Sequence, residues 1–213
     1  MTKLRVATGL GLLLRMAAMA CGQVRSQARA NGGGVTLASL AGKFETKGSG
    51  SYTLCLNASF SAPLDCASAM HQEVPFNFTA LSHGSRDAAG NSCGVTNQSN
   101  TLTGAAVEVY AAKFAARVNI RRTNVSTTTS FDSTTGSGTA SFRQYREKNC
   151  IGAAFDSTDA VLAATGTQSF MVSDSGNRIE TTLTRISYVP SSFSIAGSVK
   201  ETMAKATSIR QSD

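Results

Sequence analysis

The stretches "GTASFRQY" (138–145) and "GTQSFMVS" (166–173) decide how this chain is read. In the first, Ala140, Phe142 and Gln144 fall on one face and Ser141, Arg143 and Tyr145 on the other. In the second, Gln168, Phe170 and Val172 are in phase. A period of two is the mark of a half-buried β-strand. It continues in "RIETTLTRISYV" (178–189), which groups Ile179, Thr181 and Leu183. It returns in "SFSIAGSVKE" (192–201), where Phe193, Ile195, Gly197 and Val199 point inward. Turn-forming runs separate these segments: Asp132 to Gly138, Asp156 to Asp159, Asp174 to Asn177, and Pro190 with its serines. The run at Asp174 gives the clearest hairpin. The shared G-T-x-S-F recurs after 28 residues, roughly the length of two strands and two turns. It predicts a meander with the two copies two strands apart.

The first half alternates less cleanly. "GKFETKGSGSYTLCLN" (42–57) reads as one long strand bent at its glycines, or as two strands joined there. "VPFNFTALS" (74–82) puts Phe76 and Phe78 in phase. Residues 104–117 carry helical spacing through Val107, Tyr110, Ala111 and Phe114, while Val107 with Val109, then Phe114, Ala116, Val118 and Ile120, read as strands; the alanines favour a short helix or irregular segment before a strand beginning near Arg117. Abundant Ser and Thr, only 15% charged residues and no tryptophan suit strands and turns over helix interiors. The expected fold is therefore all-β, an antiparallel up-and-down barrel favoured over a β-sandwich, because closure removes exposed edges. The pattern resembles lipocalin-like (calycin) architecture without that group's tryptophan signature. In a barrel, Phe142, Phe170, Ile179, Leu183, Phe193 and Ile195 face inward and either line a cavity or fill it. The stretch 131–185 is also similar to exported bacterial proteins, a resemblance that implies no particular activity.

The N-terminus supplies an address. Lys3 and Arg5 precede an apolar run, Val6 to Leu14, that is too short to span a bilayer, and small residues follow as far as Ala20-Cys21. This is the order of a secretory signal. Ala18-Met19-Ala20-Cys21-Gly22 resembles the lipobox of bacterial lipoproteins. It departs from that pattern at Ala18, where leucine is usual, and at Arg15 within the apolar core. The resemblance implies acylation of Cys21, a lipid anchor in the membrane, and, from Gln23, an outer-membrane or cell-surface location. The A-x-A motif alone also fits an ordinary signal-peptidase cut and a periplasmic or secreted product. The expected organisation is a signal peptide at 1–20, a glycine-rich tether at 21–34, one β-domain at 35–202 and a C-terminal tail at 203–213.

Removing Cys21 from five cysteines leaves Cys55, Cys66, Cys93 and Cys150, an even set for an oxidising compartment. Of the three possible pairings, Cys55–Cys66 with Cys93–Cys150 is favoured. Loss of Lys3, Arg5 and Arg15 with the leader leaves 17 basic against 13 acidic residues, a net of +4. That excess is dispersed apart from Arg121-Arg122 and the run Arg143, Arg146, Lys148, so no nucleic-acid partner is expected.

No motif carries catalysis convincingly. Gly90-Asn91-Ser92-Cys93-Gly94 matches G-x-S-x-G, which suggests a serine hydrolase using Ser92 with His71 or His83. Both histidines, however, precede the serine, against the chain order of that fold. Asp65, His71 and Glu73 have no standard ligand spacing, Asp87 to Asn91 lacks the acids of a calcium loop, and Asp156 with Asp159 suits a turn. No metal or cofactor is expected. The leading expectation is a non-catalytic binding or envelope-structural domain with an unknown ligand; the alternatives are the Ser92 hydrolase and an adhesin-like surface module.

Overall fold

The computed structural model describes residues 34–103, 117–146, 148–190 and 197–212. The strands are β1 (Gly42–Leu56), β2 (Gln72–Arg86), β3 (Asn91–Leu102), β4 (Arg117–Asp132), β5 (Ser137–Arg146), β6 (Cys150–Ile151), β7 (Ala154–Phe155), β8 (Val161–Ser173), β9 (Arg178–Tyr188) and β10 (Val199–Arg210). Eight of them close an antiparallel up-and-down barrel in the order β1-β2-β3-β4-β5-β8-β9-β10, with β10 pairing back onto β1. The protein is all-β and consistent with a lipocalin-like barrel. "GKFETKGSGSYTLCL" is a single strand, β1, and β4 begins at Arg117. The helix expected over 104–117 falls, but for Arg117, outside the described residues, as do Phe193, Ile195 and the N-terminal signal and tether as far as residue 33.

The two ends of the barrel are built differently. At one end the hairpins are short and each opens on an aspartate. Asp87 Oδ1 accepts the N–H groups of Ala89 and Asn91, and Asp132 Oδ1 accepts that of Thr134. Gly90 (φ 85°) and Gly136 (φ 69°) end these turns in a backbone region that side chains disfavour. A 3₁₀ turn, Ala38–Leu40, plugs this end. Leu40, fully buried, packs with Phe44, Ala140, Phe170, Val172 and Ile179. Arg210 ties the plug down by donating to the Ser39 carbonyl while lying 5.5 Å over the Phe44 ring. At the other end the connections are long, and Leu56, Val74, Phe76 and Leu102 form a second cluster with Tyr52, Leu54 and Phe60.

At three cross-strand pairs a phenylalanine ring covers a glycine: Gly50 opposite Phe78, Gly138 opposite Phe170, and Gly166 opposite Phe142. In each pair a Cβ on the glycine would lie 2.5–2.6 Å from the phenylalanine Cζ, so the ring lies flat over bare backbone. Aromatic cover of glycine keeps a strongly coiled sheet closed where no side chain fits. This explains the repeated G-x-x-x-F. Antiparallel β5 and β8 exchange Gly138 for Phe170 and Phe142 for Gly166, each motif completing the other.

The two copies therefore lie on adjacent strands, not two strands apart. The residues between them leave the barrel as the hairpin β6–β7, which lies against the outside of β3. The disulfide Cys93–Cys150 pins it there, and Phe155 stacks on Tyr145 at 4.3 Å. That contact accounts for the burial of Tyr145 on an outward position. The other disulfide is Cys55–Cys66, which folds the loop after β1 onto the strand ends. These bridges indicate an oxidising, non-cytoplasmic compartment.

The C-terminal boundary also differs from expectation. Residues 203–210 are not a tail but most of β10, the strand that closes the ring. Ala204, Ala206 and Ser208 face inward and Met203, Lys205 and Thr207 outward. Small inward residues leave almost no hydrophobic signal, so the alternation is hard to see in the sequence. No described helix is long and apolar enough to cross a membrane. The outer face of the strands bears Lys43, Lys47, Arg121, Arg143 and Lys205 among serines and threonines. That is the reverse of the apolar outer band of a membrane-spanning barrel.

Candidate functional site: a polar lumen

The two apolar clusters do not meet. Between them the inward positions are small or polar: Gly48, Ala80, Ala204 and Ala206 on one side, Gln98, Asn100, Asn124, Gln144 and Gln168 on the other. Most of these are only half-buried, whereas Leu40 and Val74 at the two ends are completely buried. Part of the polar set pairs with itself. Ser92 bonds Ser126 at 2.7 Å, Thr46 bonds Ser208 at 2.8 Å, Gln98 donates to Asn100 Oδ1 at 2.7 Å, and Asn124 donates to Thr96 Oγ1 at 2.6 Å.

Besides Arg210 at the plug, three arginines occupy inward positions. Arg86 lies 5.5 Å over the Phe170 ring beneath the plug, and burial lowers its pKa. Arg122 and Arg146 stand directly opposite each other on β4 and β5, nearer the loop end. Of the carboxylates on the described strands, Glu45, Glu73 and Glu180 are on the outer face, paired with Lys47, Lys200 and Arg178, and Glu201 is exposed and accepts from the Thr53 hydroxyl. Two buried polar atoms of the lumen lack a partner, Arg146 Nε and Asn124 Oδ1. Such atoms cost free energy unless water or a ligand meets them.

Tyr52 from β1 and Tyr188 from β9 converge on the same region. Both hydroxyls are held well above the ordinary tyrosine range, chiefly by burial, and Arg122 opposes that shift at both. Arg122 therefore sits within electrostatic reach of each. The Tyr188 hydroxyl hydrogen-bonds Thr202, and the Tyr52 ring stacks on Phe76 at 5.1 Å. The lumen thus combines cations, phenol donors, amides and one aromatic wall.

The residues singled out in the sequence lie elsewhere. Ser92 is within strand β3, its hydroxyl engaged by Ser126, and Cys93 is bridged. His83 is an outward residue of β2 and His71 belongs to the Cys55–Cys66 loop region, so neither is brought to Ser92. Asp65, His71 and Glu73 do not gather. Asp65 accepts the Ala67 N–H, while His71 bonds Glu73 at 3.0 Å. Among the described residues no group of three His, Cys, Asp or Glu is arranged for a metal ion. Asp87 and Asp156 each accept local backbone N–H groups in their turns. Sequence reasoning missed Tyr52, Arg122, Arg146 and Tyr188. The available signal was the period-two phase of Arg146 with Phe142 along β5.

The His71–Glu73 contact makes a pH prediction. The hydrogen bond that His71 donates to Glu73, then that to the Ser68 carbonyl, raises the His71 pKa. A folded-state pKa above the unfolded value stabilises the fold below the ordinary histidine pKa of about 6.5, and the contribution fades as pH rises through the raised value. The loop after β1 should therefore hold more firmly at mildly acidic pH. In an NMR titration His71 should have a midpoint above 6.5 that falls in Glu73→Gln; an unshifted midpoint in both proteins would refute the contact.

No family model, curated protein or solved structure matches the chain. The fold and the lumen must therefore carry the functional reading by themselves.

Proposed function

We propose that this is an exported binding protein that holds a small molecule inside its barrel and has no catalytic role. One observation carries the reading: the core is split by a polar, half-buried middle section, with atoms there that have no protein partner. A barrel that served only as a rigid envelope part would gain from filling this space with apolar side chains, each buried methylene adding ~0.8 kcal/mol. Export follows from the signal-like N-terminus and the disulfides. Acylation of Cys21 would tether the barrel to the outer membrane or cell surface through the glycine-rich segment; a plain signal-peptidase cut would release it. Intact mass of the mature protein separates these two outcomes.

The binding reading is tested by thiol access in the folded protein. Ala80→Cys places a small thiol on the lumen wall, and Ile179→Cys places one in the sealed end. A small methanethiosulfonate reagent should modify the first within minutes and leave the second protected. Equal protection of both would contradict an accessible lumen.

A further inference from the structure

We infer that the outer wall of the barrel, away from the lumen, carries a binding furrow for an unbranched neutral polysaccharide. Alternate side chains of every strand turn inward, so two neighbouring outward rows are separated by a strip of bare backbone. One such strip opens into a cavity of about 720 Å³ across β4, β5, β8 and β9. Its floor is the backbone of Phe131, Gly138 and Phe170, aligned by the register while both rings pack inside. One bank is a row of hydroxyls, Ser130, Thr139, Ser169 and Thr182, each directly opposite the next. The other bank aligns Asp132, Ser137, Met171 and Glu180 in the same way. A second cavity, of about 240 Å³, lies over β9, β10 and β1 and shares Glu180 with the first. The same two rows continue there: Thr182 leads to Lys205 and Ser49, and Glu180 to Thr207 and Lys47. The two cavities are sections of one furrow that crosses six neighbouring strands.

The lining selects its occupant by chemistry. Over both sections the ionisable residues are Asp132, Glu180, Lys47 and Lys205. Two acids and two bases leave no net charge to draw a polyanion or a polycation. The Thr134 N–H and the Thr135 hydroxyl hold Asp132 below the ordinary carboxylate range, and Arg178 and Thr207 do the same for Glu180. An ionised carboxylate has about four acceptor sites, so each retains capacity for a ligand hydroxyl. Serine and threonine hydroxyls both donate and accept, as sugar hydroxyls do, so the two sets match in either direction. Met171, 56% exposed, offers an apolar surface to the C–H face of a sugar ring. Neighbouring strands are ~4.8 Å apart, close to the advance of one hexose along a chain, so successive units meet successive strands. Phe131 and Phe170 pack inside and offer no outward ring to stack a single sugar; affinity accumulates over several units.

NMR titration of the isotope-labelled, disulfide-intact protein with cellohexaose and maltohexaose tests this, the first a straight chain and the second a curved one. At least one of them should bind tenfold or more tightly than glucose. Its amide shifts should be confined to Thr139, Ser169, Thr182, Lys205 and their strand neighbours. Ser169→Arg, an exposed substitution in the middle of the hydroxyl bank, should weaken that binding at least tenfold. Thr182→Arg should do the same, and serves if the first variant misfolds. Thr101→Arg, on the outer face of β3 and outside the furrow, should leave binding unchanged. Hexagalacturonate, a chain with a carboxylate on every unit, should bind no more tightly than the neutral hexaose. Three results overturn the furrow as a neutral-glycan site: neither hexaose outbinding glucose, binding indifferent to arginine in the furrow, or a preference for the anionic chain. Shifts gathered on lumen-facing residues would overturn it as well, by placing the sugar inside the barrel.

Discussion

Phe170→Ala should lower the free energy of unfolding by about 3–5 kcal/mol, the range for removing a buried phenylalanine without collapse of the cavity. Collapse is obstructed on every side. The ring covers the bare backbone of Gly138, stacks on Phe131 at 6.0 Å, lies beneath the Arg86 guanidinium and packs in the cluster sealed by Leu40. Truncation strips contacts from two strands and the plug together and leaves a buried arginine without its aromatic face. The reciprocal change, Gly138→Ala, drives a methyl into that ring and toward the Ser130 carbonyl, both 2.5 Å from the new Cβ; overpacking of this kind costs ~1–3 kcal/mol. Urea unfolding with disulfides intact measures both. A loss below ~1 kcal/mol for Phe170→Ala would mean that glycine cover does not hold this end together.

Removal of Cys93–Cys150 by alanine at both positions should cost roughly 4 kcal/mol and removal of Cys55–Cys66 roughly 3 kcal/mol on the chain-entropy account. The order follows from loop size, 57 residues of separation against 11. The long bridge also fastens the outer hairpin β6–β7 over Tyr145 and the fully buried Cys93, so its loss should expose Tyr145 and redden no other part of the barrel in hydrogen-exchange maps. Denaturant midpoints of the two double variants check the ranking. The reverse order would place the constraint in the short loop and not in the strap.

Alternation made β5, β8 and β9 readable because aromatic and branched residues mark one face: Phe142, Phe170, Val172 and Ile179 all point inward. The aspartate-led turns at Asp132 and Asp174 were readable for a similarly local reason, since Asp132 organises backbone within a few residues. β10 was obscured because its inward face is Ala204, Ala206 and Ser208, which no hydrophobic pattern distinguishes from a tail. The echo was seen but misplaced. Spacing along the chain cannot reveal that the intervening residues form β6–β7 outside the barrel, and only pairing shows the exchange of Gly138 and Phe142 for Phe170 and Gly166.

The lumen was illegible for a different reason. Polar residues are expected to face water, so Arg121-Arg122 and Arg143 with Arg146 read as surface charge. A separation of one or three along a strand puts such residues on opposite faces. Arg121 and Arg143 are indeed outside, while Arg122 and Arg146 are paired within. Composition gives no hint of this; phase with Phe142 does.

A polar section divides the two apolar ends of the barrel. A high-resolution crystal structure of the mature protein, scanned for density between the Leu40 and Leu102 clusters, examines it most directly. Ordered water or a small molecule should meet Arg146 Nε and Asn124 Oδ1. Side chains closing that space into one continuous apolar core, with both atoms bonded to protein, would contradict it.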